Sequence, residues 1–151
     1  MFKKIILGIG AFVSVIALSI VYVFVSAYKP AGDFKKISIG GSELLVEIAD
    51  DVLEQSLGLS GRPNLSGDRG MLFLFSDLAV RNFWMINMKF PLDIIWIKED
   101  KIVGISENVP IPAGTYAPVY SSPEPVDKVL EINSGLAKRL GISAGDSVRF
   151  D

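Results

Sequence analysis

GMLFLFSDLAVRNFWMINMKFPLDIIWI, residues 70–97, holds two Trp, four Phe, three Met and four Ile, broken only by SDLAVR and MKFPLD. After its glycine, GMLFLF is apolar at every position. That is the pattern of a strand covered on both faces rather than one with a wet side. NFWMINM and LDIIWI are two further strand candidates. In NFWMINM, Trp84 and Met88 fall on one strand face and Met85 on the other, so packing accounts for all three. Trp84 and Phe73 are expected in the core.

Working outward, KIVGISE pairs with LDIIWI as a hairpin through residues 98–101. Residues 108–125 then hold five of the eight prolines and two tyrosines, which predicts a long irregular loop in extended conformations. DKVLEI reads as another strand. In NSGLAKRLGISAGDSVRF, Ser134 is the expected N-cap of a short helix. Gly141 is its left-handed stop, Ile142 the apolar contact after it, and Val148 to Phe150 a closing strand. Upstream, KISIGGSELLVEIA predicts a hairpin turning at Gly40-Gly41. DDVLEQSLGL predicts two helical turns, capped by Asp51 with Glu54, with Val52, Leu53 and Leu57 on one face. GRPNLSGDRG is loop.

Seven or so short strands and two short helices predict an α+β domain over residues 36–151, mainly antiparallel β. Strands apolar on both faces favour a small barrel-like or strongly curled sheet over an open one.

The chain is 50% hydrophobic with a mean hydropathy of +0.42, more apolar than an ordinary small soluble domain. The excess lies at the start. Residues 5–27 carry no charge, and as a helix they would be about 34 Å long, enough to cross a bilayer. Lys3 and Lys4 precede them and Tyr28-Lys29 follows. Residues 1–29 therefore read as an N-terminal transmembrane helix, with residues 30–35 as linker. The competing reading is a secretory signal cleaved near Ala27, for which the apolar run is long. A buried core helix is a third. Flanking basic residues barely differ between the two ends, and the short basic tail favours an N-in orientation. Residues 28–151 then lie outside the cytoplasm in a single-pass protein.

Acidic side chains number 17 against 15 basic, with no basic stripe, which argues against nucleic acid as a partner. There is no Cys, so an exported domain must fold on its core alone. There is also no His, which removes the commonest general base, the Ser-His nucleophile pair and the usual zinc ligand sets. No glycine pattern precedes a Lys-Ser/Thr as in a phosphate-binding loop.

Carboxylate chemistry remains. Asp93 shares a strand face with Ile95 and Ile97, Glu107 with Val103 and Ile105, and Glu131 with Val129. An acid on an apolar face is either paired with a base or has a raised pKa and a task. Arg62, Arg69 and Arg81 are available partners. Tyr116 and Tyr120 in the proline-rich loop would form an aromatic rim beside Trp84 or Trp96, suited to a glycan or an extended peptide.

The ordered series of pieces resembles the family called domain of unknown function 192. The pieces are Glu47, Gly58-Leu59 with Arg62, GMLFLF, FWM with Asn87, PLDIIWI, Glu107-Asn108 with Pro110, Tyr116 with Ser121, VLEIN with Gly135, and GISAGDSV. Two places depart from it. Ser60-Gly61 stands where the family usually has Met and an aromatic residue, and Ile86 and Met88 replace polar residues beside the Asn. The resemblance implies a compact β-rich domain, often exported or anchored, and no established activity.

The expectation is a non-enzymatic binding or interaction module in the envelope, engaging a glycan polymer or a protein partner. Trp84, Asn87, Asp93, Glu107, Asn108, Tyr116, Tyr120 and Arg62 are its candidate ligand-binding residues. The rival is a hydrolase-like acid–base enzyme using Asp93 and Glu107 as catalytic groups, with Asn87 orienting. A Cu(I) site built from methionines is a remote third reading. No cofactor and no metal are expected.

Overall fold

In the computed structural model, residues 34–114 and 117–150 are described. The whole predicted membrane segment, most of the predicted linker, and Tyr116 of the predicted rim lie outside them. Among the described residues no helix is long and apolar enough to cross a membrane.

The predicted first hairpin forms from β1 (Lys35–Ile39) and β2 (Ser42–Ala49), joined through Gly40 and Gly41 at φ 58° and 81°. Two consecutive left-handed residues match the right-handed strand twist, which is why a glycine pair sits there. Helix α1 (Val52–Leu57) follows, with Asp51 Oδ1 accepting the Glu54 N–H at 2.8 Å. The chain then runs through β3 (Arg69–Ala79), β4 (Asn82–Trp84), β5 (Leu92–Lys98), β6 (Lys101–Val109), β7 (Val119–Ser121) and β8 (Val126–Asn133). Helix α2 (Leu136–Leu140) and β9 (Val148–Phe150) complete it.

Seven strands form one sheet in the order β6-β5-β8-β3-β2-β1-β9, and β4 pairs with β7 in a separate ribbon. At one end the edges approach: Lys101 bridges Ser147, the Ile102 N–H donates to the Asp146 carbonyl at 3.0 Å, and the Gly145 N–H donates to the Ile102 carbonyl at 2.8 Å. The domain is mainly β, a curled half-barrel sheet with two short helices. Alternation sends Leu44, Val46, Leu72, Ile95, Leu130 and Ile132 into one apolar cluster and Met71, Phe73, Ile94, Trp96 and Val129 into a second. Both faces are covered, and Leu92 to Ile97 are buried without interruption.

The sheet is mainly antiparallel as expected, with one parallel pair, β2 and β3, across the α1 connection. Four expectations need correction. Residues 108–125 are not one irregular loop: Val119–Ser121 pairs with Asn82–Trp84 as β7. NFWMINM is a strand only as far as Trp84. Beyond it the Met88 N–H returns to the Met85 carbonyl and Asn87 takes a φ of 58°, a turn that buries both methionines. Ser134 does not cap α2; Gly135 at φ 75° does, while the Ser134 hydroxyl lies 2.8 Å from Asn108 Oδ1 and donates to it.

The fourth correction concerns α1. Its predicted apolar face points outward, with Val52, Leu53 and Leu57 exposed by 81%, 59% and 52%. The polar Gln55 faces the sheet instead, its Nε2 donating to the Leu74 carbonyl at 2.7 Å. Six helical residues bury no side chain fully, so a hydrogen bond rather than a hydrophobic stripe sets the rotation of this helix.

Candidate functional site

Glu47 on β2, Met71 on β3, Glu131 on β8 and Ile94 on β5 are directly paired neighbours in one row across the sheet. They share its second apolar face, and two of the four carry carboxyl groups. Glu47 is neutralised: Arg62, from the loop after α1, donates Nη1 and Nη2 to its two oxygens at 2.5 and 2.9 Å. Such a two-pronged bond holds a charge well in a partly dry place. The Arg62 loop is itself fixed, with the Ser60 hydroxyl donating to the Ile86 carbonyl at 2.8 Å and the Gly61 N–H to the Asn87 carbonyl at 3.0 Å.

Glu131 has no such partner. It is only 5% exposed, and its carboxyl makes no hydrogen bond or ion pair among the described residues. Burial pushes its carboxyl up to about 8, and the nearby positive charge of Arg62 restrains the rise. Near neutral pH it is thus mainly the protonated acid, able to donate one hydrogen bond and accept others.

The carboxyl lines a pocket of about 380 Å³. One wall is α1 and its exit, from Val52 through Gln55 and Leu57 to Gly58, Leu59 and Ser60. Phe73 and Phe75 of β3 and Met88 form the inner side; Val80, Arg81, Asn82, Phe83 and Trp84 form the other wall. Phe83 meets Phe73 edge to face at 4.9 Å and Trp96 at 5.7 Å, so this aromatic lining is held from behind. Gly58 closes α1 at φ 49°. A Cβ there would stand 3.2 Å from Phe73 Cζ and 4.0 Å from Glu131 Oε2, so the missing side chain is part of the pocket's space. Arg81 is already spent, its guanidinium 3.9 Å over the Phe75 ring and bonded to Asp77 Oδ1 at 2.6 Å.

Of the residues singled out in the sequence, Trp84 belongs to this site, though not as core. It is half exposed at the rim, whereas Phe73 is buried as expected. The turn after Trp84 swings Met85 and Met88 inward and leaves the indole outside. Arg62 holds Glu47 beside Glu131. Asn87 is exposed, in left-handed conformation, in the turn that receives the Arg62 loop.

The others lie elsewhere. Asp93 is fully buried, accepting the Asn108 N–H at 2.8 Å and the Ala137 N–H at 3.0 Å. It ties β5 to the end of β6 and to α2. Asn108, at φ 53°, serves the same junction, and Glu107 is exposed on β6. Tyr120 on β7 packs half-buried against the core. None of these four lines the pocket, and Asp93 and Glu107 do not open into a common cleft. Met71, Met85 and Met88 are all buried in one apolar cluster. Among the described residues no three His, Cys, Asp or Glu side chains gather to hold a metal.

Glu131, Gly58, Phe83 and the outward face of α1 were not in the candidate set. The one signal was that Glu131, like Asp93 and Glu107, is an acid alternating with apolar residues; its lack of a partner is a matter of tertiary contact.

A curled β half-barrel with an apolar pocket over one unpaired carboxyl is the class of domain that fold and site define. The chain belongs to the domain of unknown function 192 family, whose model (DUF192, described as an uncharacterized ACR) matches residues 35–150. Among solved structures it is similar to a Sinorhizobium meliloti protein provisionally named a transcription regulator. The two are 37% identical with a TM-score of 0.67, over 78% of this chain and 91% of that one. It is also similar to a protein of unknown function from Novosphingobium aromaticivorans, 34% identical with a TM-score of 0.68, over 77% and 84% of the two chains. No curated protein matches it.

Proposed function

We propose that this protein is a non-enzymatic binding module, held at the outer face of the membrane by residues 5–27, whose pocket receives an apolar group of an envelope polymer or protein partner. The observation that carries this is the outward rotation of α1. Val52 and Leu57, with Val80 and Trp84 across from them, make an exposed apolar rim around a pocket floored by a buried acid. Contiguous exposed apolar surface around a concavity marks a place of contact. The acid–base enzyme built on Asp93 and Glu107 is disfavoured, since two backbone N–H groups occupy Asp93 and Glu107 stands in solvent. A nucleic-acid partner, which the name of the Sinorhizobium protein would suggest, finds no support in a chain of net charge −2 whose pocket offers an acid.

The test is retention of envelope components by the immobilised full-length protein, wild type against Leu57→Glu and Val80→Glu. Both positions are exposed, so folding is unaffected while the rim becomes charged. The expected result is one component retained by wild type and lost in both variants. Equal retention by all three proteins refutes the pocket as the binding site, and turnover of the component on the column would make the protein an enzyme.

A further inference from the structure

We infer that the Glu131 pocket recognises an organic ammonium group carried on a short apolar or aromatic body. This deepens the binding reading above and rests on it. The pocket holds one carboxyl without a partner, more than nine-tenths buried and facing the cavity. Its neighbours leave it that way. From the loop after α1, Arg62 is committed to Glu47 of β2 by both terminal nitrogens. From the β3–β4 bend, Arg81 is bonded to Asp77 and stacked on Phe75. The row neighbours on β3 and β5 are Met71 and Ile94, which carry no charge. Of the ionisable groups lining the cavity, Arg81 is thus engaged by Asp77 and Phe75, and Glu131 is the one left without a partner.

Phe73, Phe83 and, at the rim, Trp84 line the same pocket as this acid, and aromatic rings attract cations over their faces, more so where water is excluded. A carboxyl in a pocket partly lined by aromatic rings suits an ammonium ion. An anion would meet Glu131 with both cations already engaged. A neutral apolar ligand would fill the space but leave the acid unsatisfied, at a cost of about 1–3 kcal/mol for a buried polar group. The cavity of about 380 Å³ falls within the usual range for small-molecule sites of about 300–1,000 Å³. At the base of the pocket Gly58 lacks the Cβ that would lie 4.0 Å from the Glu131 oxygen, which leaves room for a headgroup beside the acid.

The raised pKa of Glu131 adds a signature. Binding a cation favours the ionised carboxylate, so at neutral pH the acid gives up its proton as the ammonium enters. Affinity for a permanently charged cation then rises with pH and levels above about 8.

The experiment is isothermal titration of the full-length protein in detergent with three probes on one benzyl body: benzyltrimethylammonium, its neutral carbon isostere 2,2-dimethyl-1-phenylpropane, and phenylacetate. The expected order is cation first, by at least tenfold over either other probe. Proton release should be visible as a dependence of the heat on buffer ionisation. Glu131→Gln, which keeps shape and fold, should lower cation affinity at least tenfold and abolish the proton release while leaving the neutral probe unchanged. Equal affinity for cation and neutral probe, both weakened by Val80→Glu, would overturn the ammonium inference and leave the binding pocket standing. No binding of any probe, together with unchanged retention by the rim variants, would overturn both.

Discussion

Glu47 and Glu131 flank Met71 in one row of the sheet, two strand spacings or about 10 Å apart, yet only Glu47 has a cation. Arg62 uses its planar fork on Glu47 and cannot present the same edge to Glu131. The second acid keeps a field effect from that guanidinium and no bond. One loop arginine thus pairs with the first acid and leaves the second protonated and available.

Stability should fall as pH rises across the interval set by Glu131. Its folded pKa, about 8, lies above the ordinary 4.5, so between these values the folded chain keeps a proton that the unfolded chain has lost. Unfolding free energy then drops with pH from about 4.5 to about 8 and is flat above, by at most about 1.4 kcal/mol per pH unit. Urea titrations at pH 5, 6, 7, 8 and 9 should show this slope in wild type, and a shallower one in Glu131→Gln. Parallel curves for the two proteins would place the proton elsewhere.

Arg62→Met should destabilise the fold by about 1–3 kcal/mol, because Glu47 would be left nearly buried without its partner. It should also move the Glu131 midpoint upward, since Arg62 restrains it. Carboxyl-carbon NMR titration reads the second effect independently of the first.

Asp93→Ala should cost about 2–5 kcal/mol by leaving the buried Ala137 N–H and the Asn108 N–H without acceptors. Asp93→Asn should cost less, since one oxygen survives. Exposed Glu107→Ala should stay within about 0.5 kcal/mol. Chemical denaturation of the three variants checks the ranking, and similar losses at Asp93 and Glu107 would contradict it.

Trp84→Ala should change stability by no more than about 1 kcal/mol, because half of the indole is already in water. Phe73→Ala should cost about 3–5 kcal/mol, as buried aromatics do. A thermal midpoint lowered equally by both would return Trp84 to the core.

The proposed location predicts that alkaline carbonate leaves the full-length chain in the membrane pellet, and that protease added to spheroplasts digests the domain. Release by carbonate, or protection from protease, would refute it. A mature N-terminus at Tyr28 would identify the cleaved form instead.

Much of this chain is legible locally. The Gly40-Gly41 turn, the Asp51 cap, the Gly141 stop and the doubly covered run of β5 all follow from φ preferences and apolar period, which act over a few neighbouring residues. The family is legible for the same reason, since its pieces are short and ordered. The fate of each acid is not. Asp93, Glu107 and Glu131 share one pattern, a carboxyl alternating with apolar side chains. The fold gives Asp93 two backbone N–H donors, Glu107 solvent, and Glu131 a place in a pocket lining. What reaches an acid is decided by chain segments far away in sequence, which periodicity does not encode. The outward turn of α1 and the exposed Trp84 have the same origin: a Gln55 bond to Leu74 and a turn at Asn87, two tertiary contacts, outweigh the local apolar pattern.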